Sequence, residues 1–184
     1  MRLVIALTGC SGIIYGVRLL EVLKEAGIET DLIVSPSAEK VLEIELGKKI
    51  KDVESLSTKI HGHCDLAASI SSGSVKTDGM IIAPCSMKTL GSIASGVTSD
   101  LISRAADVTL KQERPLVLVP RETPLNLIHI ENMAKVKRAG ATILPAMPGF
   151  YHGPKDVSQL VDFVVGKILD ALDIDHELYK RWGT

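Results

Sequence analysis

The sequence predicts an α/β fold: a single doubly wound, mainly parallel sheet with helices on both faces. Three observations carry that expectation. Short runs that are apolar throughout alternate with stretches whose apolar residues recur at helical spacing. Glycine and proline punctuate the joins. The chain has 184 residues, 46% of them hydrophobic, which is enough for one core of ordinary domain size. A single domain over residues 1–184 is expected. Only 3% of the chain is aromatic, so that core must be aliphatic.

The elements follow in order. Residues 3–7 (LVIAL) read as a strand. Residues 12–27 (GIIYGVRLLEVLKEAG) carry a helical pattern that stops at Gly27, a C′ glycine. Residues 30–34 (TDLIV) form a second strand, and residues 37–47 (SAEKVLEIELG) a short helix stopped by Gly47. Residues 48–78 are polar and weakly patterned, with room for short elements only. Order returns at 79–84 (GMIIAP), a buried strand ended by proline. Helices are expected over 87–96 and 100–113, where Arg114-Pro115 breaks the pattern. Residues 116–120 (LVLVP) and 141–145 (ATILP) read as strands, with a helix over 125–140 between them. Asp156 is an N-cap candidate for a long amphipathic helix over 156–174. The pattern belongs to the Rossmann or flavodoxin type.

Bulk chemistry excludes several partners. A formal net charge of −1 argues against nucleic acid or an anionic membrane. Three cysteines, Cys10, Cys64 and Cys85, form neither a disulfide framework nor a zinc pattern, and no metal is expected. His61-x-His63-Cys64 reads as a surface loop. No apolar run approaches the roughly 20 residues that span a bilayer. With no leader visible, a soluble cytoplasmic protein is expected.

In doubly wound sheets, ligands bind at the carboxyl ends of the strands. That rule selects residues 8–12, 35–37, 84–89 and 120–124. The first, Thr8-Gly9-Cys10-Ser11-Gly12, continues to Gly16 as G-x-x-G-x-x-x-G, which differs from the dinucleotide fingerprint. Its glycines and the following helix N-terminus suit an anion, with Ser11 at the expected N-cap. Ser35 caps the next helix; Glu45, late in that helix, reads by itself as a solvated side chain. Ser86 and Thr89 open another helix beside Met87 and Lys88, a second anion cradle next to the first. Cys85 reads as a buried structural thiol. Arg121-Glu122 follows a buried strand, either as phosphate and proton-handling groups or as a salt-bridged pair. Lys111 and Lys167 read singly as solvated lysines, and Arg104 and Asp107 as an intrahelical pair. Tyr151, in the aromatic cluster 150–152, suits a lid over a substrate.

The strings TGCSGIIYGVRLL, PCSMKTL, RAADVTLKQERPLVLVPRETPL, GATILPAMPGFYHGP and RW, in that order from residue 8 to 182, resemble the UbiX family of flavin prenyltransferases. The resemblance implies reduced FMN and dimethylallyl monophosphate as substrates, with no metal. It implies prenylated FMN as product, the cofactor of a partner UbiD-type decarboxylase. Carried over by position, Gly9, Cys10, Ser11, Ser35, Ser86, Met87, Lys88, Thr89 and Arg121 would contact FMN. Lys111, Tyr151 and Lys167 would hold the prenyl phosphate, with Glu45 and Arg121 at the junction. Ser11 and Glu122 would relay a proton, and Trp182 would lie near the dimethylallyl group. Cys10 stands where alanine is common, and Lys167 where arginine is. The family also implies a homododecamer, with Glu45 and Trp182 acting across subunit contacts. Two other readings are a non-catalytic FMN carrier or subunit of a decarboxylase complex, and a flavin-dependent cysteine decarboxylase. The latter's P-x-M-N-x-x-M signature is broken here at Pro148.

Overall fold

A computed structural model describes residues 1–183. The strands are β1 (Arg2–Leu7), β2 (Glu29–Val34), β3 (Lys59–His61), β4 (Gly79–Cys85), β5 (Leu116–Pro120) and β6 (Thr142–Ile143). The helices are α1 (Ile13–Glu25), α2 (Pro36–Leu46), α3 (Ile50–Glu54), α4 (Met87–Ala94), α5 (Leu101–Lys111), α6 (Leu127–Arg138) and α7 (Val157–Asp170). All six strands pair in parallel, in the order β3-β2-β1-β4-β5-β6. This is the Rossmann order, whose direction reverses between β1 and β4.

Alternation along the strands divides the core in two. Leu3, Ile5, Leu7, Leu32, Val34, Ile81, Ala83, Val117 and Val119 face one way and pack under α1, α2, α3 and α7. Val4, Ala6, Ile33, Met80, Ile82, Leu116 and Leu118 face the other way, under α4, α5 and α6. Strands buried on both faces have no polar side, which is why they read as unbroken apolar runs.

The predicted elements are present, with three differences. Residues 48–78 hold the edge strand β3, whose three residues carry too little pattern to be recognised. Strand β6 is regular over two residues only, although the Leu144 and Ala146 amides still donate to the Leu118 and Pro120 carbonyls of β5 at 2.9 and 3.0 Å on either side of Pro145. Helix α7 stops at Asp170 instead of running to residue 174, and Asp173 takes a positive φ of 53° beyond it.

The predicted surface loop at 61–64 needs correction at His61 alone, since Cys64 lies exposed in a turn. His61 ends β3, and its side chain is 4% exposed, with Nε2 2.7 Å from the buried Asp31 carboxylate. Arg2 donates to the same carboxylate at 2.6 and 3.0 Å. A buried carboxylate requires such pairing, so His61 belongs to the interior of the β1–β2–β3 edge.

Candidate active site at the carboxyl edge of the sheet

The four predicted segments meet beyond the carboxyl ends of β1, β2, β4 and β5. Thr8, 1% exposed, is the latch between the first and third. Its hydroxyl donates to the Pro84 carbonyl at 2.7 Å and accepts from the Ser86 amide at 2.8 Å. A buried hydroxyl at a strand end needs both partners, and that is the signal that could have singled Thr8 out in the sequence. The fourth segment joins through Arg121, whose Nε donates to the Ser11 carbonyl at 2.9 Å. The second joins by close approach: a Cβ on Gly9 would lie 2.3 Å from the Ser37 side chain.

The glycines therefore serve the chain itself. Gly9 admits Ser37. Gly16 admits β4, because a Cβ there would lie 2.1 Å from the Ala83 carbonyl oxygen. Gly12 turns the chain with φ 98° and is the N-cap of α1, so Ser11 is not the cap. The cap has no side chain to offer, and the first-turn amides take an acceptor from elsewhere. Glu45 supplies it: its carboxylate accepts from Gly12 at 2.9 Å and Ile13 at 3.1 Å. The first anion cradle thus holds an anion of the chain's own, and Glu45 is not a purely solvated side chain. These bonds lie within one chain.

The second cradle keeps its donors available. Ser86 is the N-cap of α4, and its Oγ accepts from Thr89 N at 3.3 Å and lies 3.1 Å from Thr89 Oγ1. The Met87 and Lys88 amides have no intrahelical acceptor. Lys88 reaches 4.0 Å from Asp100 with its side chain 79% exposed. Ser35 accepts from Ala38 N and meets Ser37 Oγ at 3.1 Å. Arg121 and Glu122 form no ion pair among the described residues. Arg121 turns to Ser11, and Glu122 accepts from Thr123 N at 3.1 Å. Hydroxyls, helix-start amides and a guanidinium at a topological switch point fit a flavin phosphate and its polar ring edge.

The two thiols here are not nucleophiles. Burial pushes the Cys10 thiol up to about 11, against smaller opposing pulls from Thr8 and Arg121. Burial raises the Cys85 thiol well above the ordinary range. Both are neutral at neutral pH, and reactivity belongs to the thiolate. Among the described residues, no group of three or more His, Cys, Asp and Glu side chains could hold a metal ion.

The remaining predicted residues lie elsewhere. Tyr151 packs edge-on to Trp182, with ring centroids 5.3 Å apart, and to Phe163 of α7 at 5.7 Å. Lys167 lies on α7, 3.1 Å from Asp170. No hydrogen bond or ring contact ties Tyr151, Lys167 or Trp182 to the Gly9–Gly12 turn among the described residues. Lys111 ends α5. That helix starts at the carboxyl rim, where the Leu101 amide donates to the His63 carbonyl, and ends where β5 begins. Five residues of β5 at roughly 3.3 Å each therefore separate Lys111 from the rim. Within one chain Lys111 therefore lies away from the two cradles, because a helix that returns the chain to the start of a parallel strand ends at the opposite edge.

A family model described as Flavoprotein matches residues 1–169. The chain is 46% identical to the flavin prenyltransferase UbiX of Methanocaldococcus jannaschii over 184 residues, covering all of both chains. The chain belongs to the UbiX family of flavin prenyltransferases. A mitochondrial flavin prenyltransferase of Saccharomyces cerevisiae is 48% identical, over 98% of this chain and 75% of its own. Among solved structures, a UbiX protein in complex with FMN and dimethylallyl pyrophosphate superposes with TM-score 0.98 and 46% identity, over 100% of this chain and 97% of that one. A dodecameric FMN-dependent UbiX-like decarboxylase from Escherichia coli O157:H7 superposes with TM-score 0.97 and 45% identity over all of both chains. A peptidyl-cysteine decarboxylase, at 16% identity and TM-score 0.64, shares the fold alone. No helix among the described residues is long and apolar enough to cross a membrane.

Proposed function

We infer that this chain is a flavin prenyltransferase that joins the dimethylallyl group of dimethylallyl monophosphate to reduced FMN, making prenylated FMN. The end-to-end identity of 46% to a flavin prenyltransferase carries the reading. The relative held with FMN and dimethylallyl pyrophosphate supports the substrate pair. The product serves a partner decarboxylase of the UbiD type as cofactor. Three free cysteines and a substrate that must stay reduced suit the cytoplasm.

Gly9, Cys10, Ser11, Ser35, Ser86, Met87, Lys88, Thr89 and Arg121 hold FMN at the latched rim. The neutral Cys10 thiol gives a small, weakly polar surface beside the flavin. Lys111, Tyr151 and Lys167 hold the prenyl phosphate. As the allylic C–O bond opens, charge grows on the phosphate, and ammonium and phenol donors stabilise it. The Trp182 ring faces the allylic cation, and Ser11 and Glu122 relay a proton. Glu45 sets the turn that carries Ser11.

One chain keeps these groups in three places, so the site is completed between copies of the chain. The dodecameric relative supports that arrangement, and a homododecamer is the assembly proposed.

Reduced FMN with dimethylallyl monophosphate or diphosphate, followed by mass spectrometry of the released flavin, tests the reading. Gain of one prenyl unit from the monophosphate is expected. Unchanged FMN with both donors contradicts it.

A further inference from the structure

Four donors converge on one carboxylate, that of Asp170 in the last turn of α7. Tyr179 donates its hydroxyl to Oδ2 at 2.5 Å, and Lys167 donates Nζ to the same oxygen at 3.1 Å. His176 Nε2 and Arg181 Nη2 reach Oδ1 at 3.0 and 2.9 Å. Three of the four come from the tail that follows α7. That tail has no helix or strand of its own among the described residues.

The seat for this tail is built into α7. A Cβ on Gly166 would lie 2.6 Å from both His176 Cε1 and Tyr179 Cε1, so only glycine admits the two rings. Tyr179 then packs on Phe163, with centroids 4.9 Å apart. Farther along, Trp182 meets Tyr151 edge-on. Tyr151, His152, Lys180, Arg181 and Trp182 line a cavity of about 460 Å³. Burial alone would raise the Asp170 carboxyl, but the bonds from Tyr179, Arg181, Lys167 and His176 outweigh it and hold it well below the usual carboxylate range. The charge is therefore permanent at neutral pH.

We propose that Asp170 is a positioning residue for the prenyl phosphate: it locks the C-terminal tail onto α7 and so fixes Lys167, Tyr151 and Trp182 as one wall of the substrate pocket. The proposal rests on the reading that those three residues serve the prenyl phosphate. The geometry supplies the link, since one carboxylate binds both Lys167 and the segment carrying Trp182. The hydrogen-bond partners of the Asp170 carboxylate are Lys167, His176, Tyr179 and Arg181, none of them in the rim segments assigned to FMN.

The test compares Asp170→Asn and Tyr179→Phe with Lys167→Ala in the full assembly. Trp182 is the chain's single tryptophan, so its fluorescence reports the tail alone. Trp182 is already 79% exposed in the single chain, so its mobility is the readout: Asp170→Asn is expected to lower the fluorescence anisotropy of Trp182. It is also expected to raise KM for dimethylallyl monophosphate about tenfold, the loss of one charge-assisted network. kcat falls as well, because these groups act on charge that grows as the bond opens, while the FMN dissociation constant stays at its wild-type value. Tyr179→Phe keeps the ring packing and shifts both readouts the same way by less. A folded Asp170→Asn protein with wild-type anisotropy or wild-type KM overturns the proposal. If that variant does not fold, unchanged readouts in Tyr179→Phe overturn it. A raised KM in Lys167→Ala beside an unchanged KM in Asp170→Asn removes the Asp170 role alone. An unchanged KM in Lys167→Ala removes the underlying assignment as well.

Discussion

The Glu45 carboxylate stands 2.9 Å from the Gly12 amide and caps a helix whose N-cap lies thirty-three positions earlier in the chain. It joins the end of α2 to the start of α1 and closes the turn that presents Ser11. Replacing Glu45 with alanine leaves the Gly12 and Ile13 amides to water. The expected loss is about 1 kcal/mol in denaturant unfolding, the usual worth of a cap with favourable helix-dipole charge. Glu45→Gln keeps an acceptor and is expected to lose less.

Gly16→Ala is the more damaging change. The new methyl would stand 2.1 Å from a backbone oxygen of β4 and 2.3 Å from Leu7 Cδ2. The oxygen belongs to a central strand and cannot step aside. A loss of about 3 kcal/mol is expected, the upper end for overpacking, read as a lower unfolding midpoint. A wild-type midpoint would contradict the packing role given to this glycine.

The Cys10 thiol is expected to titrate at about 11. Alkylation at Cys10 by iodoacetamide stays slow at pH 8 and climbs only toward that value. The linkage has a definite sign. The folded state prefers the neutral thiol, so this contribution to stability is complete below the ordinary value of 9.0 and is lost as pH rises to about 11. Thiolate absorbance from Cys10 at pH 8 would contradict it.

The buried Asp31 acts at the other end of the pH scale. Burial alone would raise its carboxyl, and hydrogen bonds from Arg2 and His61 outweigh that and lower it from the ordinary 3.8. Its contribution is therefore present above pH 3.8 and lost as pH falls through the lower folded-state value. Asp31→Ala strands two paired groups and is expected to cost about 3 kcal/mol at pH 7. The gap between variant and wild type should close in acid, as followed by unfolding at stepped pH. A gap that widens in acid would contradict this account.

Legibility followed local pattern. Residues 3–7, 79–84 and 116–120 announced central strands because they are buried on both faces. Ser35, Ser86 and Asp156 announced caps because a cap is a local bond, and each accepts from the amide three residues on. β3 went unseen because an edge strand of three residues offers no period. Its His61 looked like a loop because its partner, Asp31, lies thirty positions away. Glu45 and Asp170 act through distant partners in the same way, and no spacing reveals them. The rim segments were legible from topology alone, since parallel strands put all their carboxyl ends on one side. The same rule puts Lys111, at the end of α5, on the other side.

The central claim, a site completed between copies, is tested most directly by mixing two inactive variants. Lys111→Ala and Glu122→Gln are each expected to lose prenylation of FMN. When the two are dissociated, mixed and reassembled, sites that draw Lys111 from one parent and Glu122 from the other are intact. Recovery of about a quarter of the wild-type rate is expected for random mixing of symmetric copies. A mixture as inactive as its parents, in assemblies shown to contain both, would contradict the account.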